Sequence, residues 1–164
     1  MRLSVIKQLF LLVFLLITSS SVLANLEVGD KAPNFILNDQ NNEAHQLSDY
    51  EGRWVILYFY PKDDTPGCTT QACDFRDAVK RIIASRSVVF GLSLDSVESH
   101  KRFSDKNNLP FSLLSDEEGV AAKSYDSLNN FMGYKSAKRN TFIINPQGFL
   151  SKIYLSVDPK THSQ

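Results

Sequence analysis

The chain has two cysteines, Cys68 and Cys73, five positions apart in the stretch PKDDTPGCTTQACDF, residues 61–75. Such a pair could be a structural disulfide, part of a metal site, or a reactive thiol with a sulfur partner. Zinc sites draw four ligands, commonly in close recurrent pairs. The three histidines, His45, His100 and His162, stand isolated in different segments, so no metal is expected. A static bridge is poorly served as well. If one helix holds both cysteines, five residues span a rise of about 7.5 Å and a rotation of about 140°. The Cα atoms then stand about 8–9 Å apart, beyond the ~7 Å limit for a disulfide, so bonding requires the helix to unwind. The four-residue loop would also restrain the unfolded chain little. The placement suits a pair that switches.

Reactivity depends on where Cys68 sits. Pro66 and Gly67 form a turn that feeds a helix, which puts Cys68 in its first turn. Unpaired backbone N–H groups and the positive end of the helix dipole favour an anion there. The thiolate is the nucleophilic form of cysteine, and helix N-termini promote it. Fast chemistry needs further donors aimed at the charge that develops in the transition state.

The surrounding elements must deliver those donors. RWVILYFY (residues 53–60) and SVVFGLSLD (residues 87–95) are rich in β-branched and aromatic residues without polar alternation, the pattern of strands buried on both faces. Between them, Ala72, Phe75, Ala78 or Val79, and Ile82 or Ile83 recur at helical spacing. NFIL (residues 34–37) is a short strand candidate. TFIIN and FLSKIYL flank Pro146-Gln147-Gly148 and predict a hairpin. Asp95 and Glu98 suggest a capping box opening a second helix, which Asn107, Asn108 and Pro110 stop. DEEGVAAKSY is a weaker helical pattern. Strands alternating with helices predict an α/β domain with a central mixed sheet flanked by helices, resembling the thioredoxin-like architecture. Trp54, Tyr58, Phe59 and Tyr60 are expected in the core, with Tyr60 also a candidate for lining the pocket. The three histidines are expected at the surface.

Residues 1–24 read differently from the rest of the 164-residue chain. Arg2 and Lys7 precede the apolar run Leu9–Ile17, then come TSSS and small residues at Val22 and Ala24, the layout of a secretory signal peptide. An uncleaved anchor is the alternative, but the nine apolar residues are about half of the ~18 that span a bilayer. Residues 25–164 then form one domain of a size that supports its own core. That segment carries 16 basic and 18 acidic side chains, a balance that suggests neither nucleic acid nor an anionic membrane as partner. Export implies an oxidising compartment, expected to be the bacterial periplasm, with no stable membrane association after cleavage.

Pro61, Thr65 and Cys68 stand as P-x-x-x-T-x-x-C, and the longer string FYPKDDTPGCTTQACDFRD (residues 59–77) resembles the bacterioferritin-comigratory, or PrxQ, branch of the peroxiredoxins. The likeness extends from about Leu26 to Leu155 and includes EVGDKAPNF and RNTFIINPQG. It implies a thiol-dependent peroxidase that needs no cofactor. Cys68 would be the peroxidatic sulfur, oxidised to a sulfenic acid. Thr65 would offer its hydroxyl to peroxide and thiolate, Pro61 would shield the sulfur from water, and Arg139 would hold the thiolate and polarise the peroxide. Cys73 would resolve the sulfenate as an intramolecular disulfide after the helix start unwinds, with a thioredoxin-like protein as reductant. A monomer is expected for this branch.

Plainer roles stand beside these. Thr65 also suits a helix cap, Pro61 a strand terminator, and Arg53 and Arg76 compete with Arg139. Gln71 could support the helix start or face solvent. An exported thioredoxin-like thiol–disulfide oxidoreductase is the alternative enzyme, but such proteins carry C-x-x-C and a proline before the facing strand, where this chain has a wider gap and Asn140. A secreted binding domain requires Cys68 to be inert. The branch also continues past its last strand into a C-terminal helix. Here only nine residues follow Leu155, so that helix is expected to be absent or a stub.

Overall fold

A computed structural model describes residues 25–84 and 87–159, the side chains of residues 80–84 excepted. Residues 1–24, expected to be a signal peptide, and His162 lie outside the described residues, as do the side chains of Ile82 and Ile83. In chain order the strands are β1 (Ile36–Asn38), β2 (Ala44–Gln46), β3 (Trp54–Phe59), β4 (Ser87–Ser93), β5 (Ser112–Ser115), β6 (Leu128–Phe131), β7 (Tyr134–Ala137), β8 (Thr141–Ile144) and β9 (Leu150–Tyr154). Among the described residues three α-helices accompany them: α1 (Pro66–Ala84), α2 (Val97–Asn107) and α3 (Val120–Ser124). Seven strands form one mixed sheet in the order β2-β1-β5-β4-β3-β8-β9, while β6 and β7 make a separate hairpin. No helix among the described residues is long and apolar enough to cross a membrane.

Strand alternation divides the interior in two. Val55, Leu57 and Phe59 on β3 point to one face, where they meet Phe90, Leu92, Leu114, Tyr125, Phe142 and Ile144. Tyr58 and Tyr60 point to the other, with Ala72, Phe75, Phe103, Leu113 and the Cys68 side chain. Helices α1 and α2 cover that second face. Trp54 at the strand's outer end is 37 % exposed and is not part of the core as expected. It occupies the first position of β3, the one exposed residue of that strand.

Pro66 opens α1, where its fixed φ fits and its missing N–H costs nothing. The cap of α2 is one residue later than the Asp95–Glu98 pattern suggested. Ser96 is the N-cap and accepts from the Ser99 N–H. Asp95 is engaged elsewhere, its Oδ2 accepting from Ser93 Oγ at 2.7 Å and from the Asp63 N–H at 2.9 Å. Asn108, left-handed at φ 51°, ends the helix. The hairpin predicted around Pro146–Gly148 joins β8 to β9.

Candidate active site

The sheet register brings the distant chain segments together. β8 runs antiparallel to β3, with Thr141 opposite Tyr58, and the Phe59 N–H donates to the Asn140 carbonyl at 2.8 Å. Residue 139 is therefore level with the turn that follows β3. That turn holds Pro61 and Thr65 and runs directly into α1. The Val157 N–H donates to the Arg139 carbonyl at 2.9 Å, tying the segment after β9 to the same place.

Cys68 is the third residue of α1 and only 2 % exposed, packed among aromatic side chains. Arg139 Nη2 lies 3.3 Å from its Sγ. Arg139 Nη1 donates to Gln71 Oε1, from a residue three positions further along the same helix. A planar guanidinium can serve two acceptors at once in a fixed fork, which a lysine cannot. The cation thus faces a sulfur that also sits at the positive end of the helix dipole, with water largely excluded. Gly67 lies against this pair: a Cβ there would meet Arg139 Nη2 and Pro159 Cγ at 3.4 Å, an ordinary van der Waals contact.

The other residues of the motif have distinct positions. Pro61 and Thr65 are half-buried in the loop. The Thr65 hydroxyl donates to the Lys62 carbonyl at 3.0 Å, and the Thr65 carbonyl accepts from the Thr69 N–H at 2.9 Å. Both cysteines are free thiols. Cys73, five residues along α1, is half-buried with its Sγ 3.9 Å from Asn107 Oδ1 at the end of α2. Regular helix connects the two sulfurs, so they meet only if the first turns of α1 open. Arg76, a rival of Arg139 in the sequence, instead donates to Asp77 Oδ1 and the Asn107 carbonyl.

Tyr58 and Tyr60 lie close to the sulfur but are poor proton donors to a reaction. Burial first, and for Tyr58 the nearby Cys68, hold both phenols well above their ordinary range, so they stay neutral. Asp39, Glu43 and His45 bring possible metal ligands within 4.8 Å of one another. Asp39 is already occupied, accepting from the Asn41 and Glu43 N–H groups and from Ser112 Oγ, which makes it the internal brace of the β1–β2 turn.

Two expectations need correction. His100 is not a surface residue but fully buried, with both ring nitrogens against oxygen acceptors. His45 is half-buried, its Nδ1 2.5 Å from the Tyr50 hydroxyl. Gln71, left open between a solvated and a supporting role, is fully buried and supports Arg139. Its place three residues after Cys68, on the same side of the helix, was the available signal.

The family model for the AhpC/TSA family matches residues 28–153. Peroxiredoxin Bcp of Bacillus subtilis is 45 % identical over 141 residues, covering 84 % of this chain and 90 % of that protein. The crystal structure of a cysteine-to-serine variant of Xylella fastidiosa PrxQ superposes with a TM-score of 0.80 at 30 % identity, covering 85 % of this chain and 92 % of the other. The Xanthomonas campestris bacterioferritin comigratory protein, whose structure concerns alkyl peroxide reduction, gives 0.74 at 31 % identity over 79 % of this chain and 85 % of the other. Sequence and fold thus agree with an arginine-backed thiol at the head of α1: the chain belongs to the AhpC/TSA family, in its Bcp/PrxQ branch, and is a thiol peroxidase of the peroxiredoxin type.

Proposed function

We propose that Cys68 is the peroxidatic residue and Cys73 its resolving partner. The Cys68 thiolate attacks the terminal peroxide oxygen. An S–O bond forms as the O–O bond breaks, and the departing oxygen takes a proton to leave as water or an alcohol. The Cys73 thiol then attacks the sulfenic sulfur; an S–S bond forms and water leaves. A thioredoxin-like dithiol returns the enzyme to its reduced state by exchange. Arg139 holds the thiolate, Thr65 hydrogen-bonds the peroxide, and Pro61 keeps water from the sulfur.

The observation that carries this reading is the 3.3 Å contact between Arg139 Nη2 and Cys68 Sγ at the first turn of α1. Such a preorganised cation stabilises charge without rearranging during the reaction. Hydrogen peroxide and organic hydroperoxides are both proposed substrates; the Xanthomonas relative's alkyl peroxide activity supports the second. The leader-like residues 1–24 support export to the bacterial periplasm as a mature chain beginning at Asn25. There it acts as a monomer with a reductant of that compartment.

The test is peroxide-dependent oxidation of a reduced thioredoxin by the mature protein. Cys68→Ser should abolish turnover, while Cys73→Ser should consume one equivalent of peroxide and stop as sulfenic acid or a mixed adduct. Sustained turnover by Cys68→Ser would end the proposal.

A further inference from the structure

The loop between β3 and α1 is held from beneath by a buried polar group that the peroxidase chemistry does not itself use. Asp63 lies midway between Pro61 and Thr65 and is 6 % exposed. Its Oδ1 accepts from the Tyr60 hydroxyl at 2.8 Å. Its Oδ2 accepts from Ser99 Oγ at 2.8 Å and lies 2.9 Å from His100 Nδ1. His100, fully buried, places Nε2 3.2 Å from the Leu114 carbonyl.

The donor inventory fixes much of the arrangement. A carbonyl can only accept, so Nε2 carries a hydrogen. Nδ1 faces the Asp63 carboxyl at 2.9 Å, within hydrogen-bond distance. The partners of Asp63 stand outside the loop it holds: Tyr60 directly after β3, Asp95 between β4 and α2, and Ser99 and His100 on α2.

The main chain links this anchor to the reaction. The peptide joining Lys62 to Asp63 is a rigid planar unit whose N–H and C=O point in opposite directions. Its N–H donates to Asp95 Oδ2 at 2.9 Å. Its C=O accepts from the Thr65 hydroxyl at 3.0 Å. The next residue, Asp64, has φ 57°, a left-handed conformation that persists where its surroundings impose it. Rotating this peptide would break the hold on Thr65.

We propose that Asp63, clamped by His100, Ser99 and Tyr60, is a positioning residue that sets the Thr65 hydroxyl for peroxide through the Lys62–Asp63 peptide. The inference rests on the peroxidatic reading of Cys68. It acts on peroxide alignment and leaves the sulfur's own charge environment, Arg139 and the head of α1, intact.

The test compares two reactions of the reduced protein: thiol loss with hydrogen peroxide, and alkylation of Cys68 by iodoacetamide followed by site-resolved mass spectrometry. Alkylation needs a thiolate but no aligned Thr65. Asp63→Ala should lower the peroxide rate constant about 10- to 100-fold while alkylation stays within about twofold. His100→Gln keeps the interior filled but can donate to only one of the two acceptors, and should shift the ratio in the same direction even if Asp63→Ala does not fold. Asp63→Asn can donate to Nδ1 and still accept from Tyr60, so it should restore the ratio to within about threefold of wild type. Unchanged ratios in folded variants, or two rates falling in parallel, would overturn the positioning role. A wild-type protein inert to peroxide would overturn the peroxidatic reading, and this inference with it.

Discussion

Arg139 and Cys68 are 71 positions apart in sequence, yet guanidinium Nη2 lies 3.3 Å from the sulfur. The contact exists because β8 pairs with β3 and brings residue 139 beside the loop that launches α1. Replacing the arginine removes a fixed donor from the reacting sulfur. Arg139→Ala should lower the peroxide rate constant about 10²- to 10³-fold. Arg139→Lys should recover little, since one ammonium cannot bridge Sγ and Gln71 Oε1 as the fork does. Single-turnover thiol oxidation measures both, and a fully active lysine variant would refute the fork.

Gln71 has a narrower task. It is completely buried, and its Oε1 accepts from Arg139 Nη1. Gln71→Leu leaves a half-buried cation short of one acceptor, a loss of up to about 1.5–3 kcal/mol for a hydrogen bond to a charged group. Urea unfolding should show that drop, and peroxide reactivity should fall with it as Arg139 loses its orientation. Undiminished stability would mean that solvent replaces Oε1 without cost.

The long elements and the motif were readable in the sequence, because β3, β4 and α1 carry uninterrupted burial or clear helical spacing. The thin elements were not. Ser112–Ser115 offers only two apolar residues between serines, and β6 and β7, four residues each, hold their apolar residues only at the two ends, so none of the three has a period to detect. His100 looked like a surface residue because its burial depends on Asp63, 37 positions away. Pairing of that kind leaves no local pattern. Gln71 was visible as a position on the Cys68 side of α1, but its partner came only with the fold.

Gly91 on β4 shows how closely the aromatic wall behind the sulfur is packed. A Cβ there would lie 2.6 Å from the Tyr58 hydroxyl and 2.8 Å from Leu113 Cδ2. Gly91→Ala should destabilise the protein by about 1–3 kcal/mol. The Tyr58 hydroxyl is buried and without a hydrogen-bond partner, so Tyr58→Phe should be neutral or stabilising by about 1 kcal/mol. Thermal unfolding of the two variants separates the effects. A large loss in Tyr58→Phe would show that the hydroxyl has a partner in solution.

Asp39 predicts a pH dependence away from the active site. Burial alone would raise its carboxyl, but the Asn41 and Glu43 N–H groups, His45 and Ser112 outweigh it and hold the group below 3.8. A carboxyl lowered by folding contributes stability that is complete above the unfolded value and disappears as pH falls through the native one. Asp39→Asn should therefore be less stable than wild type at neutral pH, with the gap closing as pH falls below 3.8. A gap independent of pH in acid unfolding would place the aspartate's contribution in packing rather than charge.

The two sulfurs can bond only if the segment Pro66–Cys73 leaves its helical form, so helix stability there should govern resolution. Thr70 tests this without touching either thiol or Arg139. It is exposed, and its hydroxyl donates to the Pro66 carbonyl at 3.0 Å. Alanine at this position should favour the helix by about 0.5 kcal/mol, slowing disulfide formation about two- to threefold. Peroxide attack on Cys68 should be unchanged, because the folded helix is the form that reacts. The sulfenic acid then persists longer, and at excess peroxide a larger fraction should advance to sulfinic acid. Quenched-flow mass spectrometry follows the two products together. Equal disulfide rates in wild type and Thr70→Ala, with no gain in sulfinic acid, would mean that unwinding is not what limits the meeting of Cys68 and Cys73.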